Sequence, residues 1–229
     1  MAKESAIAKA PEGSLFVARE QTRGHGRQGR IWHSPPGGLW WSLLLKPPLS
    51  PEKAKSLSAA TSLGILQGIS KATQAPMRLK WPNDILLEGK KLSGVIVETS
   101  IRGQLLEWAV LGAGINVNNT IPHELEKTAT SLSRWAGHEI DLSMLLNTVL
   151  DEVFSIYDLF LKGGFPGIKS LYMDKLLGLG EPVSLLYEGE TYRGNAVDID
   201  LEGRLLIEFS DNKKRPFSAA EAHLLTAPL

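Results

Sequence analysis

The chain has 229 residues, 43% of them hydrophobic, which suits one large globular domain or a large and a small one. Its 25 basic residues balance its 25 acidic residues, and this zero net charge argues against a general nucleic-acid binder. The absence of cysteine excludes disulfides, thiolate metal sites and a cysteine nucleophile. Neither a signal peptide nor the ~20-residue apolar run of a membrane span is recognisable, so we expect a cytoplasmic protein.

The first third of the chain predicts short helices and strands around a glycine-rich loop. Ser50 can cap a helix that has Pro51 at its first position and that should run to about Thr73. The predicted elements are a helix over residues 2–10, a strand over 14–18, a loop over 20–38, a buried strand over 39–46 and the capped helix over 51–73.

The middle of the chain predicts strands and then helices. The turn Glu88-Gly89-Lys90 should join two strands as a hairpin, and Asp141 should cap a long amphipathic helix that ends near Gly163. The predicted strands cover residues 77–81, 85–87, 92–99 and 105–117, and a last helix covers about 168–176.

From about Gly178 the pattern changes to short strands separated by turns. Strands are expected over residues 182–187, 191–199, 204–209 and 213–218, which is typical of a small β-barrel of SH3-like size. The predicted fold class is therefore α+β. A first domain over residues 1–177 would have a mostly antiparallel sheet, and residues 178–229 would form a small β domain.

The loop from Gln21 to Trp32 combines glycines with arginines. Its glycines tolerate positive φ and let backbone N–H groups converge on an anion, and its arginines are suited to carboxylate or phosphate. Trp32 could stack on a nucleobase or an apolar ring. A flexible basic loop and a nucleic-acid contact are the alternatives. The residues concerned are Arg23, Gly24, Gly26, Arg27, Gly29 and Arg30.

The segment Lys80-Trp81-Pro82-Asn83-Asp84 predicts a sharp break between two strands. Pro82 lacks an N–H group and favours an extended Trp81, while Asn83 and Asp84 can bond the neighbouring backbone and keep the break rigid. A purely structural turn with Trp81 in the core is the alternative.

Lys90 and Lys91 stand at the end of the predicted hairpin. Successive strand residues point to opposite faces, so Lys91 could enter a cleft while Lys90 stays in solvent. Gly94 would permit close approach by a neighbour or a ligand. An ordinary pair of solvated lysines is the alternative.

Four of these segments together resemble the biotin–protein ligases. They are the 21–32 loop, the KWPND segment at 80–84, Lys91-Leu92-Ser93-Gly94, and Gly112-Ala113-Gly114-Ile115-Asn116, and they stand in the order of that family. The resemblance extends from about Ala2 to Leu225. It implies a class II synthetase-like catalytic domain with helices on one side of its sheet and an SH3-like C-terminal domain. It indicates the short form, which lacks the DNA-binding winged helix.

The resemblance also implies a two-step reaction. Biotin and ATP would form biotinyl-5′-AMP with Mg²⁺, and biotin would then pass to a lysine of a biotin carboxyl carrier domain of acetyl-CoA carboxylase or a related carboxylase. We expect neither DNA nor a membrane as partner, and a homodimer is left open. A lipoate–protein ligase is the alternative within the same fold.

The resemblance assigns a role to each motif residue, and His25 stands where many members have arginine. The implied catalytic residues are Lys91 and Arg27; the biotin contacts are Gln21, His25, Gly26, Arg27, Lys91 and Gly94; the ATP or adenylate contacts are Gly24, Arg30, Trp32, Lys80, Asn83, Asp84, Gly114 and Asn116; and Asn116 is the candidate near Mg²⁺.

The start of the chain departs from the family pattern. Members begin the catalytic domain with a strand and a Ser-Thr-Asn turn that contacts biotin, and Met1 aligns just after that turn. We therefore expect an N-terminally truncated member. A catalytically impaired nucleotide-binding remnant is the corresponding alternative.

Overall fold

The structure is a computed structural model that describes residues 4, 10–218 and 223–226. Its strands are β1 (Leu15–Ala18), β2 (Leu39–Leu45), β3 (Met77–Lys80), β4 (Asp84–Leu87), β5 (Lys90–Arg102), β6 (Leu105–Ile115), β7 (Pro182–Tyr187), β8 (Glu190–Ile199), β9 (Leu205–Glu208), β10 (Lys214–Phe217) and β11 (His223–Thr226). Its α-helices are α1 (Pro51–Ala54), α2 (Leu57–Thr73), α3 (Leu132–Ala136), α4 (Leu142–Gly163) and α5 (Lys169–Lys175). The helix predicted over residues 2–10 lies, except for Glu4 and Ala10, outside the described residues.

The first six strands form one sheet in the order β1-β2-β6-β5-β4-β3. Every neighbouring pair in it is antiparallel. The long hairpin of β5 and β6 lies at its centre, so residues 90–115 are flanked by strands on both sides. The predicted antiparallel sheet of an α+β fold is confirmed.

Helices α2 and α4 pack against each other and cover one face of this sheet. Two glycines of α2 permit the close approach, because a Cβ on Gly64 would lie 2.6 Å from the Cα of Val153 and one on Gly68 would lie 2.5 Å from the Cα of Val149. Leu63, Ile65 and many other apolar side chains of both layers are buried in one continuous core. The helical layer leaves the opposite face of the sheet available for a cleft.

Some predicted elements differ from the observed ones. The helix expected over residues 51–73 is interrupted, because Ser56 has a non-helical backbone and its hydroxyl donates to the Glu202 carbonyl at 2.6 Å. The predicted caps are observed, since Ser50 accepts from the Lys53 amide and Asp141 from the Met144 amide. The short helix α3 and the strand β11 were not predicted.

The last five strands form a second antiparallel sheet in the order β10-β9-β8-β7-β11, consistent with the SH3-like prediction. Leu185, Ile199 and Ile207 of this sheet are buried in the same hydrophobic core as the helical layer. The division at residues 177 and 178 remains a prediction. None of the helices in the described part of the chain combines the length and apolar character needed to cross a bilayer.

Candidate active site

A cleft of about 1670 Å³ opens on the sheet face opposite the helices. Along β6 the side chains alternate, so Leu111 points into the core while Gly112 and Gly114 line the cleft. All the predicted site residues line it: Gln21, Gly24, His25, Gly26, Arg27, Arg30, Trp32, Lys80, Asn83, Asp84, Lys91, Gly94, Gly114 and Asn116. Segments distant in sequence therefore meet at one place.

The glycine–arginine loop forms an irregular hairpin over one wall of the cleft. The Gln21 amide donates to the Ser34 carbonyl at 3.0 Å, the Trp32 amide to the Gly24 carbonyl at 3.0 Å, and the Gly26 amide to the Arg30 carbonyl at 2.7 Å. A Cβ on Gly24 would lie 2.5 Å from the Trp32 carbonyl oxygen, so this position requires glycine. The predicted convergence of free N–H groups is wrong for the Gly26 amide, which the hairpin itself uses.

The KWPND segment holds the two candidate catalytic cations. The Asn83 side chain donates to the Val95 carbonyl and accepts from Arg27 Nη1 at 3.3 Å, and Asp84 Oδ1 lies 2.7 Å from Lys91 Nζ. Asn83 is buried, which fixes its amide. Arg27 and Lys91 thus reach two consecutive residues of one turn and point into the same cleft.

The charges around Asp84 perturb the neighbouring basic groups. Burial is the main cause that lowers the pKa of Lys80, the carboxylate of Asp84 opposes it, and the positive charges of Lys91 and Arg30 lower it further. Burial also lowers the pKa of Arg27, against the attraction of Asp84. Four cations gathered near this carboxylate make the region electropositive, which favours an anionic ligand.

Lys91 is fixed through its backbone as well as its side chain. Its amide donates to the Thr128 carbonyl at 2.8 Å, and the Thr130 amide donates to the Lys91 carbonyl at 3.0 Å. Its ammonium lies 5.2 Å from the centroid of a Trp32 ring. The expectation that Lys90 stays in solvent is wrong, because its ammonium donates to the Glu126 carbonyl at 2.8 Å.

The indole of Trp32 lies in a flat slot formed by two paired glycines. Gly94 of β5 and Gly114 of β6 are direct neighbours in the sheet. A Cβ on Gly114 would lie 2.4 Å from Trp32 Nε1, and one on Gly94 would lie 3.4 Å from Trp32 Cζ3. Trp32 Nε1 is buried with no hydrogen-bond partner among the described residues. The slot therefore accepts a flat ring, and its width depends on both glycines.

Asn116 is held rigidly at the end of β6. Its amide donates to the Leu92 carbonyl at 3.0 Å, and its side-chain oxygen accepts from Asn119 at 3.1 Å. In the described part of the chain no group of three or more His, Asp or Glu side chains could hold a metal ion. Such a donor set would suit a cation that is bound mainly by a ligand's phosphates and by water.

One wall of the cleft, the irregular segment over residues 119–129, carries no signal in the sequence and was not predicted. Asn119, Ile121, Lys127 and Thr128 line the cleft from this segment. It has no helical or strand periodicity and no motif, and its position depends on backbone pairing with Lys91 and on the contacts of Asn119 and Glu126 described above.

Comparisons with known proteins identify the class to which this fold and cleft belong. Residues 2–116 match the biotin/lipoate A/B protein ligase family, and residues 178–225 match the biotin protein ligase C-terminal domain. The bifunctional ligase/repressor BirA of Bacillus subtilis is 39% identical over 222 residues, which is 95% of this chain and 68% of that protein. A biotin–[acetyl-CoA-carboxylase] ligase of Paracoccus denitrificans is 31% identical over 209 residues, which is 88% of this chain and 87% of that protein.

A solved structure agrees with these relatives. The biotin protein ligase from Aquifex aeolicus in complex with biotin and ATP superposes with a TM-score of 0.85 at 32% identity, over 97% of this chain and 93% of that one. The chain therefore belongs to the biotin protein ligase family, and it is a biotin ligase. That the chain represents the short form of the family stays a prediction.

Proposed function

We propose that the chain joins biotin and ATP into biotinyl-5′-AMP and passes the biotinyl group to a lysine of a biotin carboxyl carrier domain, such as that of acetyl-CoA carboxylase. A carboxylate oxygen of biotin attacks the α-phosphorus, and pyrophosphate leaves. The acceptor amine then attacks the biotinyl carbonyl, loses a proton, and AMP leaves. The approach of Arg27 and Lys91 to the single Asn83–Asp84 turn carries this proposal.

The first step brings two anions face to face, and their repulsion must be offset. Arg27 and Lys91 reach the same turn from opposite segments, so a carboxylate and an α-phosphate placed between them would each contact a cation. Because both side chains are held before any ligand binds, little reorganisation is needed during the reaction.

Lys91 has enough donors for this role. Its ammonium carries three N–H groups, and one of them is directed at Asp84 at 2.7 Å. The other two can bind one oxygen of the carboxylate and one of the phosphate. Asp84 then acts as an orienting group that holds the ammonium in place.

The remaining cleft residues are divided between the two substrates. Arg30 and Lys80 form the electropositive end near the phosphates, beside the turn of Asn83 and Asp84, and Trp32 in the slot of two glycines would pack on the adenine. In this proposal Gln21, His25, Gly26 and Gly94 contact biotin, and Gly24, Gly114 and Asn116 contact the nucleotide. Asn116 would be the residue nearest to Mg²⁺, and the metal would supply positive charge that offsets the charge of the phosphates.

Biotin-dependent exchange of pyrophosphate into ATP tests the first step, and transfer to a carrier domain, detected with labelled streptavidin, tests the second. We expect Lys91→Gln to lower the exchange rate by about 100-fold or more, since it removes a charged donor from the reacting anions. Lys90→Gln is the matched control. The Lys90 ammonium of the wild type binds the Glu126 carbonyl and not the cleft, so the exchange rate of Lys90→Gln should stay close to that of the wild type.

Three results would contradict the proposal. They are equal losses in the two variants, a preference for lipoate over biotin, and nucleotide binding without any adenylate. The last result would favour the impaired remnant. We further propose a cytoplasmic location, while the homodimer and the absence of DNA and membrane partners remain predictions.

A further inference from the structure

The turn between β8 and β9, residues 201–203, contacts the segment that holds the catalytic cations. The Trp81 indole Nε1 donates to the Gly203 carbonyl at 3.3 Å in a buried position, although the two residues are 122 positions apart. Trp81 directly precedes Pro82, Asn83 and Asp84. The C-terminal sheet therefore touches the active-site turn from behind, since residues 201–203 do not line the cleft.

Gly203 is held in place by contacts that leave no room for a side chain. Its φ is +82°, and a Cβ there would lie 2.9 Å from the Ser56 hydroxyl oxygen and 3.5 Å from the Phe165 ring. The Ser56 hydroxyl also donates to the Glu202 carbonyl at 2.6 Å. The break between α1 and α2 thus fixes the turn against the catalytic domain.

Helix α5 holds the same segment from a second direction. The buried Tyr172 hydroxyl donates to the Pro82 carbonyl at 3.4 Å. Lys169 of α5 lies 3.0 Å from Asp198 of β8, which connects the helix to the C-terminal sheet. Trp81 and Pro82 are therefore supported jointly by α5 and the C-terminal sheet.

We propose that the 201–203 turn, through Gly203, positions the active site. By holding Trp81 it keeps Asn83 and Asp84 where they orient Arg27 and Lys91. Gly203 touches no substrate, so it is a positioning residue rather than a catalytic one. This inference rests on the proposed function, because it assigns to the C-terminal sheet a part in placing the cations that meet ATP.

The matched pair Gly203→Ala and Gly189→Ala tests the inference. Gly189, in the turn between β7 and β8, has φ +81° and nothing within 4 Å of a Cβ, so it shares the backbone strain but not the contacts. For Gly203→Ala we expect kcat/KM for ATP in pyrophosphate exchange to fall about tenfold or more, because small displacements of reacting groups are costly. The kcat/KM of Gly189→Ala should stay within about twofold of the wild-type value. Both variants are assayed well below their melting temperatures.

Trp81→Phe keeps an aromatic ring in the core but removes the indole N–H group that bonds the Gly203 carbonyl. It therefore tests the inference even if Gly203→Ala does not fold. It should lower kcat/KM for ATP in the same direction, and combining it with Gly203→Ala should add little, since both act through one contact. If Gly203→Ala and Gly189→Ala have equal kcat/KM for ATP, or if Trp81→Phe has the wild-type value, this inference is overturned and the proposed function is unaffected. A wild-type chain without exchange activity overturns the proposed function and this inference with it.

Discussion

At the scale of single residues, each catalytic cation is already bound by a protein acceptor. Arg27 is held by Asn83 and Lys91 by Asp84. The family resemblance implies that Asn83 and Asp84 contact the nucleotide, whereas in the structure they orient the two cations. The two roles are compatible, because a carboxylate and an amide each have several acceptor positions.

The lowered pKa of Lys80 predicts how stability depends on pH and how many protons ATP binding takes up. Because burial and the neighbouring cations lower the pKa of Lys80, its ammonium loses a proton at a lower pH in the folded protein than in the unfolded chain. The free energy of unfolding should therefore rise as the pH increases through that lowered pKa towards the ordinary value. Bound phosphates would raise the pKa again, so ATP binding in alkaline solution should take up a proton.

Calorimetric titration with ATP at about pH 9, in two buffers of different ionisation enthalpy, measures this uptake. We expect Lys80→Met to abolish the uptake, while Lys90→Met, outside the cleft, retains it. The same proton count in wild type and Lys80→Met would show that Lys80 does not face the phosphates.

At the scale of elements, the 21–34 loop and the glycine pair of β5 and β6 form the two sides of one slot. The loop is held by a few backbone bonds, and Ile31 at its end is 79% exposed. Trp32 lies over Gly94 and Gly114, although its indole nitrogen has no partner in the described part of the chain. The exposed part of the loop around Ile31 can therefore rearrange when a ligand enters, while Arg27 stays bound to Asn83.

Limited trypsin digestion tests this expectation. Biotin with ATP should slow cleavage after Arg23, Arg27 and Arg30, because a loop closed over the adenylate excludes both water and protease. Cleavage after the exposed Lys213, in the turn before β10, serves as the internal control and should not change. Unaltered cleavage at the three arginines would mean that the loop does not close.

At the scale of the whole molecule, the two sheets share one hydrophobic core. Leu185, Ile199 and Ile207 of the C-terminal sheet belong to the same buried cluster as the helical layer, and Trp81, Ser56 and Lys169 add polar contacts between the two parts. A small domain with this dependence on its neighbour is not expected to unfold separately.

We therefore expect a single calorimetric unfolding transition, with equal calorimetric and van't Hoff enthalpies, that shifts upward as a whole with biotin and ATP. Two resolved transitions, only one of them shifted by the ligands, would show that the parts on either side of residue 178 are energetically independent. Gly189→Ala, with its strain in the C-terminal sheet, should lower the melting temperature of the entire protein.

Local patterns were sufficient to predict most elements, and together with the family resemblance they indicated the cleft residues outside the 119–129 wall. The hairpin before Lys91, the cap at Asp141 and the short strands after Gly178 depend on neighbouring residues, and they occur where predicted, with bounds that differ by a few residues. The break at Ser56 has no such local signal. It depends on Glu202, which lies 146 positions further along the chain.

The sequence by itself determined which motif residues supply the cations and glycines of the cleft, because glycine, arginine and lysine motifs carry their chemistry locally. Only the tertiary structure decided that Arg27 and Lys91 meet at Asn83 and Asp84, that residues 119–129 form a wall, and that Gly203 supports Trp81. The physical reason is that such contacts depend on the path of the backbone between distant segments. No property of either segment alone encodes the distance between them.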